Sequence, residues 1–269
     1  MLDHMPTSRN PYYRPPGLPK LQKSVVVLMD MLGYKCMTRR AERDNRCQAL
    51  LEELYKPLRN ARESLEDANL EMVNNPTQKD RFVLRGFTDN IVMGWPLQSS
   101  TVTAAGSALR HALAKVSLFQ LDMASRGFFF RGAITVGDVF IDEFAVFGTA
   151  LLNAYVAESE HADTPRIILA ACAATTECEY WASCGNPESY PLSQYLRADT
   201  DNRRFVNYLN AGLLAPTLIT QHRDMVVDKL KEFQTDTKTR RKYRWVAEYH
   251  NSFCAEHAEQ FAQQIIPVS

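Results

Sequence analysis

The sequence predicts an α+β fold: one mostly antiparallel sheet with helices packed on one face, followed by a helical C-terminal appendage. Three observations predict it. Short apolar runs alternate with longer helix-period segments in the order β, α(α), β-β, α, β-β, α, β. Two of the strand signals come as pairs joined by short turns, which favours antiparallel pairing. Beyond residue 172 the periodicity is helical.

Each element has a local reason. "SVVVLMD" reads as a strand over 24–30, because Val25 to Met29 form an unbroken apolar run. The polar segment 36–73 is rich in helix formers, and Leu50, Leu51, Leu54 and Leu58 recur at helical spacing; one long helix or two shorter ones fit. "NNPTQKD" over 74–80 breaks it. "RFVLRGFTDNIVMGWP" reads as strands 81–87 and 91–95 around a Thr-Asp-Asn turn. An alanine-rich helix over 103–127 follows, then a strand and hairpin starting at "FFFRGAITVGDVFID". "FGTALLNAYVAESEHA" is a helix and "RIILAA" a strand. The organisation expected is an extended arm over 1–22, a main domain over 23–172 and a helical extension over 173–269 packed on it.

With 269 residues, 45% of them hydrophobic, the chain can bury one large core or a core with an appendage. Its formal charge is zero, so no global field draws it to nucleic acid or to an anionic membrane. The proline-rich N-terminal stretch lacks the apolar core of a signal peptide, and no apolar run approaches a membrane span. Six cysteines, at 36, 47, 172, 178, 184 and 254, show neither a CxxC pair nor a histidine partner at zinc-finger spacing. Reduced, mostly structural thiols in a cytoplasmic protein are expected.

The strand 24–30 poses a chemical question, because it ends in Asp30. A buried carboxylate is costly unless it is paired or bound to a metal. Alone, Asp30 reads as a strand-end residue wetted by solvent. The expected layout lays the hairpin 81–95 beside this strand, and its turn carries Asp89. Asp89 alone reads as ordinary turn chemistry. Two carboxylates at the ends of adjacent central strands suit a pair of divalent cations, an arrangement that serves in-line displacement at phosphorus.

Three segments carry a resemblance. "VVLMDMLGY", "GFTDNIVMG" and "FFFRGAITVGDVF…FGTALLNAYVAE", in that order and at suitable distances, resemble the catalytic domain of the class III nucleotidyl cyclases, a ferredoxin-like fold. The similarity spans about residues 24–170 and is closest to the pyrimidine nucleotide cyclases of bacterial Pycsar anti-phage systems. The resemblance implies that Asp30, Asp89 and the backbone carbonyl of Met31 hold two Mg²⁺ or Mn²⁺ ions. It implies that the turn of Leu32, Gly33 and Tyr34 offers backbone N–H groups to a triphosphate. Its plainer reading is a strand-to-helix turn. Arg85 falls where the purine cyclases carry a base-reading residue, and a guanidinium can only donate. It reads either as a donor to a pyrimidine carbonyl or as a surface arginine on the sheet edge.

The implied reaction converts UTP to 3′,5′-cyclic UMP and pyrophosphate, with CTP to cyclic CMP as the alternative. The product would act on a separate cyclic-nucleotide-gated effector. Class III sites form between two catalytic domains, so the resemblance implies a homodimer with sites at its interface. One departure stands out. The family's Asn–Arg transition-state pair falls on Leu152 and Val156, with Asn153 one residue out of place. Either another arginine (Arg131, or one from "KTRRKYR") supplies that charge, or activity is reduced or lost. The rival is therefore a cyclase-like nucleotide-sensing module without turnover.

Overall fold

A computed structural model describes residues 10–14, 17–71, 83–87, 89–185 and 192–267. The expected break at 74–80, the first two residues of the strand 81–87, Thr88 of the turn and much of the arm lie outside the described residues.

The described arm is a short hairpin of β1 (Tyr13–Arg14) and β2 (Leu18–Pro19). It is fastened by Tyr12, which is fully buried with its hydroxyl 3.1 Å from Ser24 Oγ. Then follow β3 (Gln22–Met31), α1 (Tyr34–Arg43), α2 (Cys47–Glu71), β4 (Val83–Phe87), β5 (Asn90–Pro96), α3 (Val102–Ser125), β6 (Phe130–Ile141), β7 (Val146–Phe147), α4 (Thr149–His161), β8 (Ile167–Leu169) and α5 (Ala171–Ser183). The last third holds β9 (Leu196–Ala198), β10 (Arg204–Val206), α6 (Pro216–Glu232), α7 (Thr237–Glu256) and α8 (Ala258–Phe261). Between α1 and α2 the chain turns at Asn45, with φ 53°, a conformation that asparagine tolerates.

The main sheet runs in the order β4-β5-β3-β6-β8-β10-β9, and β7 folds back on β6. Every pair is antiparallel except β6 with β8. The α+β class with its mostly antiparallel sheet is therefore as expected. Its first four strands, β4-β5-β3-β6, have the order of a ferredoxin-like βαββαβ unit.

Helices cover both faces of this unit, which corrects the expectation of helices on one face. Val25, Val27, Met29 and Met31 of β3 pack with Leu109, Leu113 and Val116 of α3 on one face. Val26 and Leu28 point the other way, onto Ala150 and Ala154 of α4 and onto Tyr12. A strand buried on both faces reads as a continuous apolar run, which is why 25–29 shows no alternation. The start of α4 is held tight by Gly148. A Cβ there would lie 2.3 Å from the Asp138 carbonyl oxygen, and φ is +141°.

The expectation of a purely helical extension over 173–269 needs correcting. β9 and β10 extend the same sheet past β8. Phe205, Tyr208 and Tyr249 share the core with Phe129 and Ile134, so residue 172 does not separate two cores. The sequence hides these strands because each is only three residues long. That is too short for a period of two to show.

The helices α6 and α7 are joined by a buried polar chain. Gln264 offers only a carbonyl oxygen, 2.9 Å from His250 Nε2, so that nitrogen donates. His250 Nδ1 then accepts from His222 Nδ1, 3.0 Å away, and His222 Nε2 accepts from the Tyr208 hydroxyl at 2.9 Å. All three groups are neutral in this arrangement. Burial, and then the neighbouring His250, hold His222 well below the usual histidine range. Burial pushes His250 down to about 4.

A pH dependence follows. Between the ordinary histidine range and about pH 4 the unfolded chain binds more protons than the folded one. Stability should therefore fall as pH falls, by about 1.4 kcal/mol per pH unit for each histidine. Urea unfolding at pH 7, 6 and 5 should show this loss, and His250→Gln, which keeps a donor but cannot charge, should flatten it. Equal slopes for both proteins would show that the pair does not govern acid stability.

Candidate active site

The strand register builds the site. β3 lies between β5 and β6, and Asp30 sits directly opposite Asn90 on one side and Arg131 on the other. Asp30 is two residues beyond Leu28, so it faces the α4 side of the sheet. The β4–β5 turn closes over the strand end. The Met31 N–H donates to the Asp89 carbonyl at 2.9 Å, and Asn90 Nδ2 donates to Asp89 Oδ1 at 3.3 Å. Asp89 is thereby held beside Asp30, and the two carboxyl groups are within hydrogen-bonding reach of each other.

Burial raises the Asp30 pKa above the usual carboxylate range, Arg131 opposes this, and the Asp89 charge adds to it. Arg131 Nε lies 2.9 Å from Asp30 Oδ2 and also 2.9 Å from Glu158 Oε1. Glu158 comes from α4 and is only 4% exposed. Burial raises its pKa as well, with Arg131 and Lys242 of α7 opposing and Asp30 reinforcing. Two carboxylates, Asp30 and Glu158, therefore converge on one guanidinium, with Asp89 beside Asp30. The sequence reading did not single out Glu158, although a signal existed. Ala150, Ala154 and Ala157 mark the buried stripe of α4, and Glu158 continues it.

The turn after β3 differs in part from its expected role. The Leu32 N–H is spent on the Phe129 carbonyl at 2.8 Å. Gly33 has φ 80°, a left-handed conformation that glycine adopts without strain, and it starts α1 with no side-chain cap. The first N–H groups of α1, beginning at Tyr34, thus have no capping side chain, the usual condition for anion binding at a helix start. A cavity of about 690 Å³ borders this turn, lined by Leu32, Gly33 and Cys36 with Arg40, Arg126 and Lys229. Neither this cavity nor one of about 580 Å³ between α6 and α7 is lined by Asp30 or Asp89.

The remaining predicted positions lie as follows. Arg85 is half-buried on β4, and its Nε donates to the backbone carbonyl of Asp142, in the loop after β6. Leu152 and Val156 are exposed on the outer face of α4 together with Tyr155; Phe147 just before the helix is also exposed. From "KTRRKYR", Arg241 pairs with Asp163, while Arg240 and Arg244 line the α6–α7 cavity. Arg131 is therefore the one of these arginines that the structure pairs with Asp30.

The donor set at Asp30, Asp89 and the Met31 carbonyl is all oxygen, which suits Mg²⁺ or Mn²⁺. Among the described residues no three His, Cys, Asp or Glu side chains form a ready metal cage. Two carboxylates are the usual protein share where Mg²⁺ is also held by substrate phosphates and water.

No protein-family model matches the chain, and no curated protein matches it by sequence. Among solved structures it is similar to the guanylyl cyclase Cya2, at 15% identity over 60% of this chain and 79% of that one, with a TM-score of 0.39. It is also similar to a class III adenylyl cyclase-like ATP-binding protein from Pseudomonas aeruginosa, at 10% identity over 58% and 35% of the two chains, with a TM-score of 0.41. Likenesses this distant carry no argument about fold or activity.

The charge balance makes a stability prediction. Arg131→Met leaves Asp30 and Glu158 facing each other without their shared cation. Loss of one partner in a fully buried pair costs more, but Arg131 is 27% exposed, so about 2 kcal/mol is expected in urea unfolding without divalent metal. A variant as stable as the wild type would mean that the carboxylates are already neutral.

Proposed function

We propose that the chain is a nucleotidyl cyclase of the class III type. The observation that carries this reading is the pair of aspartates, Asp30 and Asp89, brought together by backbone pairing at the end of a central strand. In the reaction the ribose 3′-oxygen bonds to the α-phosphorus and gives up its proton. The bond from the α-phosphorus to the bridging oxygen breaks, and pyrophosphate leaves. Asp30, Asp89 and the Met31 carbonyl are the residues to hold two Mg²⁺ or Mn²⁺ ions, which supply positive charge for the triphosphate and the attacking oxygen. The uncapped start of α1 at Gly33 and Tyr34 is the proposed receiver of phosphate oxygens. Arg131 carries the positive charge nearest the acids, so it is the proposed replacement for the absent Asn–Arg pair.

The preferred substrate in this reading is UTP, giving cyclic UMP, with CTP second. It rests on the resemblance of the three sequence segments to Pycsar cyclases and on Arg85, which donates and cannot accept. Its Nε–H is committed to Asp142, so any base contact falls to its terminal N–H groups. The product then serves as an anti-phage second messenger for a separate cyclic-nucleotide-gated effector. The apolar outer face of α4, with Leu152, Tyr155 and Val156, is the proposed seat of a homodimer contact that completes each site. That same face motivates the second reading, a nucleotide-binding module without turnover, because Leu152 and Val156 replace the expected polar pair.

Incubation with each of the four nucleoside triphosphates and Mn²⁺ tests the reading. UTP should yield cyclic product and pyrophosphate, and ATP should be turned over hardly at all. A site built around a base carbonyl can reject a base lacking it by roughly four powers of ten. Asp30→Ala and Asp89→Ala should each abolish turnover with the fold retained, and Arg85→Ala should erode the pyrimidine preference. Binding without any cyclic product would select the sensing module. Sedimentation should show a dimer that Tyr155→Glu splits with loss of turnover; full activity in a monomer would exclude the interfacial site.

A further inference from the structure

We infer that Glu158 is a positioning residue: when a divalent cation occupies Asp30, the Arg131 guanidinium is handed from Asp30 to Glu158. This rests on the cation site proposed above.

The geometry leaves Arg131 with two acids and one choice. Its Nε carries a single hydrogen, and both carboxylate oxygens lie 2.9 Å from that nitrogen. The hydrogen is directed at Asp30. Glu158 Oε1 is therefore close to the cation yet accepts no hydrogen bond, although it is fully shielded from solvent. A buried carboxylate oxygen without a donor is costly. The donor it lacks is already within reach and is engaged elsewhere.

A divalent cation on Asp30 changes the competition. It takes up the Asp30 oxygens and repels the guanidinium. Without Glu158, Arg131 would have to leave for solvent or stay as a rival to the cation. With Glu158, a small rotation satisfies both. The acid is held ready by its place on the buried stripe of α4, one residue after Ala157, and α4 is locked to the sheet at Gly148. Lys242 on α7 supplies further positive charge on the same side. The device makes cation binding and arginine placement one event, and the freed guanidinium stays beside the site.

Mn²⁺ binding to the full chain without nucleotide, read from the electron paramagnetic resonance signal of the free ion, tests this. The proteins compared are wild type, Glu158→Met, Arg131→Met and the double variant, each checked for folding by thermal melt. Glu158→Met should weaken Mn²⁺ binding about tenfold, because Arg131 then keeps its hold on Asp30. In the Arg131→Met background the same change should have little effect, because no guanidinium needs a second partner. An equal loss in both backgrounds would overturn the hand-over and make Glu158 a direct ligand. No loss in the wild-type background would overturn it and leave Glu158 structural. Asp30→Ala separates the two layers: if it binds Mn²⁺ as the wild type does, the cation site itself is wrong.

Discussion

The arrangement depends on one register. Asp30 lies opposite Asn90 on one neighbouring strand and opposite Arg131 on the other, and the Met31 N–H is bonded to the Asp89 carbonyl. A slip of one residue would turn Asp30 to the α3 face, which is lined by Leu109, Leu113 and Val116. The register is in turn fixed by burial on both faces of β3. Val25, Val27 and Met29 pack on the α3 side, and Val26 and Leu28 on the α4 side. The core thus selects the strand pairing, and the strand pairing delivers the acids.

The electrostatics follow from that delivery. Three carboxylates are brought into a partly dry place, where burial raises the pKa of Asp30 and of Glu158. Arg131 is the nearest compensating charge, and Lys242 adds to it. A protein that only needed a stable core would gain more by filling this corner with apolar side chains. The proposed cation site gives the acids a reason to be kept there.

Much of this was legible in the sequence, and the exceptions have physical causes. The strand carrying Asp30, the hairpin carrying Asp89 and the helices α3 and α4 announce themselves by long apolar runs or clear periodicity. The carboxylate at the end of an apolar run was the most informative single feature. Glu158 was missed because a lone acid near a helix end normally faces water, and only the spacing of Ala150, Ala154 and Ala157 betrays its burial. The strands β9 and β10 were missed because three residues cannot display a period. Backbone pairing was also invisible: the N–H of Leu32, expected to face a phosphate, is instead part of the strand-end bonding to Phe129. The partner of Arg85 lies 57 residues away in the chain, on a loop whose position only the folded sheet determines.

The central claim is that Asp30 and Asp89 hold cations for a bound nucleoside triphosphate. Anomalous diffraction from crystals grown with Mn²⁺ and a UTP analogue lacking the 3′-oxygen tests it most directly. The account predicts manganese peaks in contact with the carboxylates of both Asp30 and Asp89, with the triphosphate bridging them to the start of α1. Nucleotide bound elsewhere, or Arg131 still clamped on Asp30 with no metal between the aspartates, would contradict it.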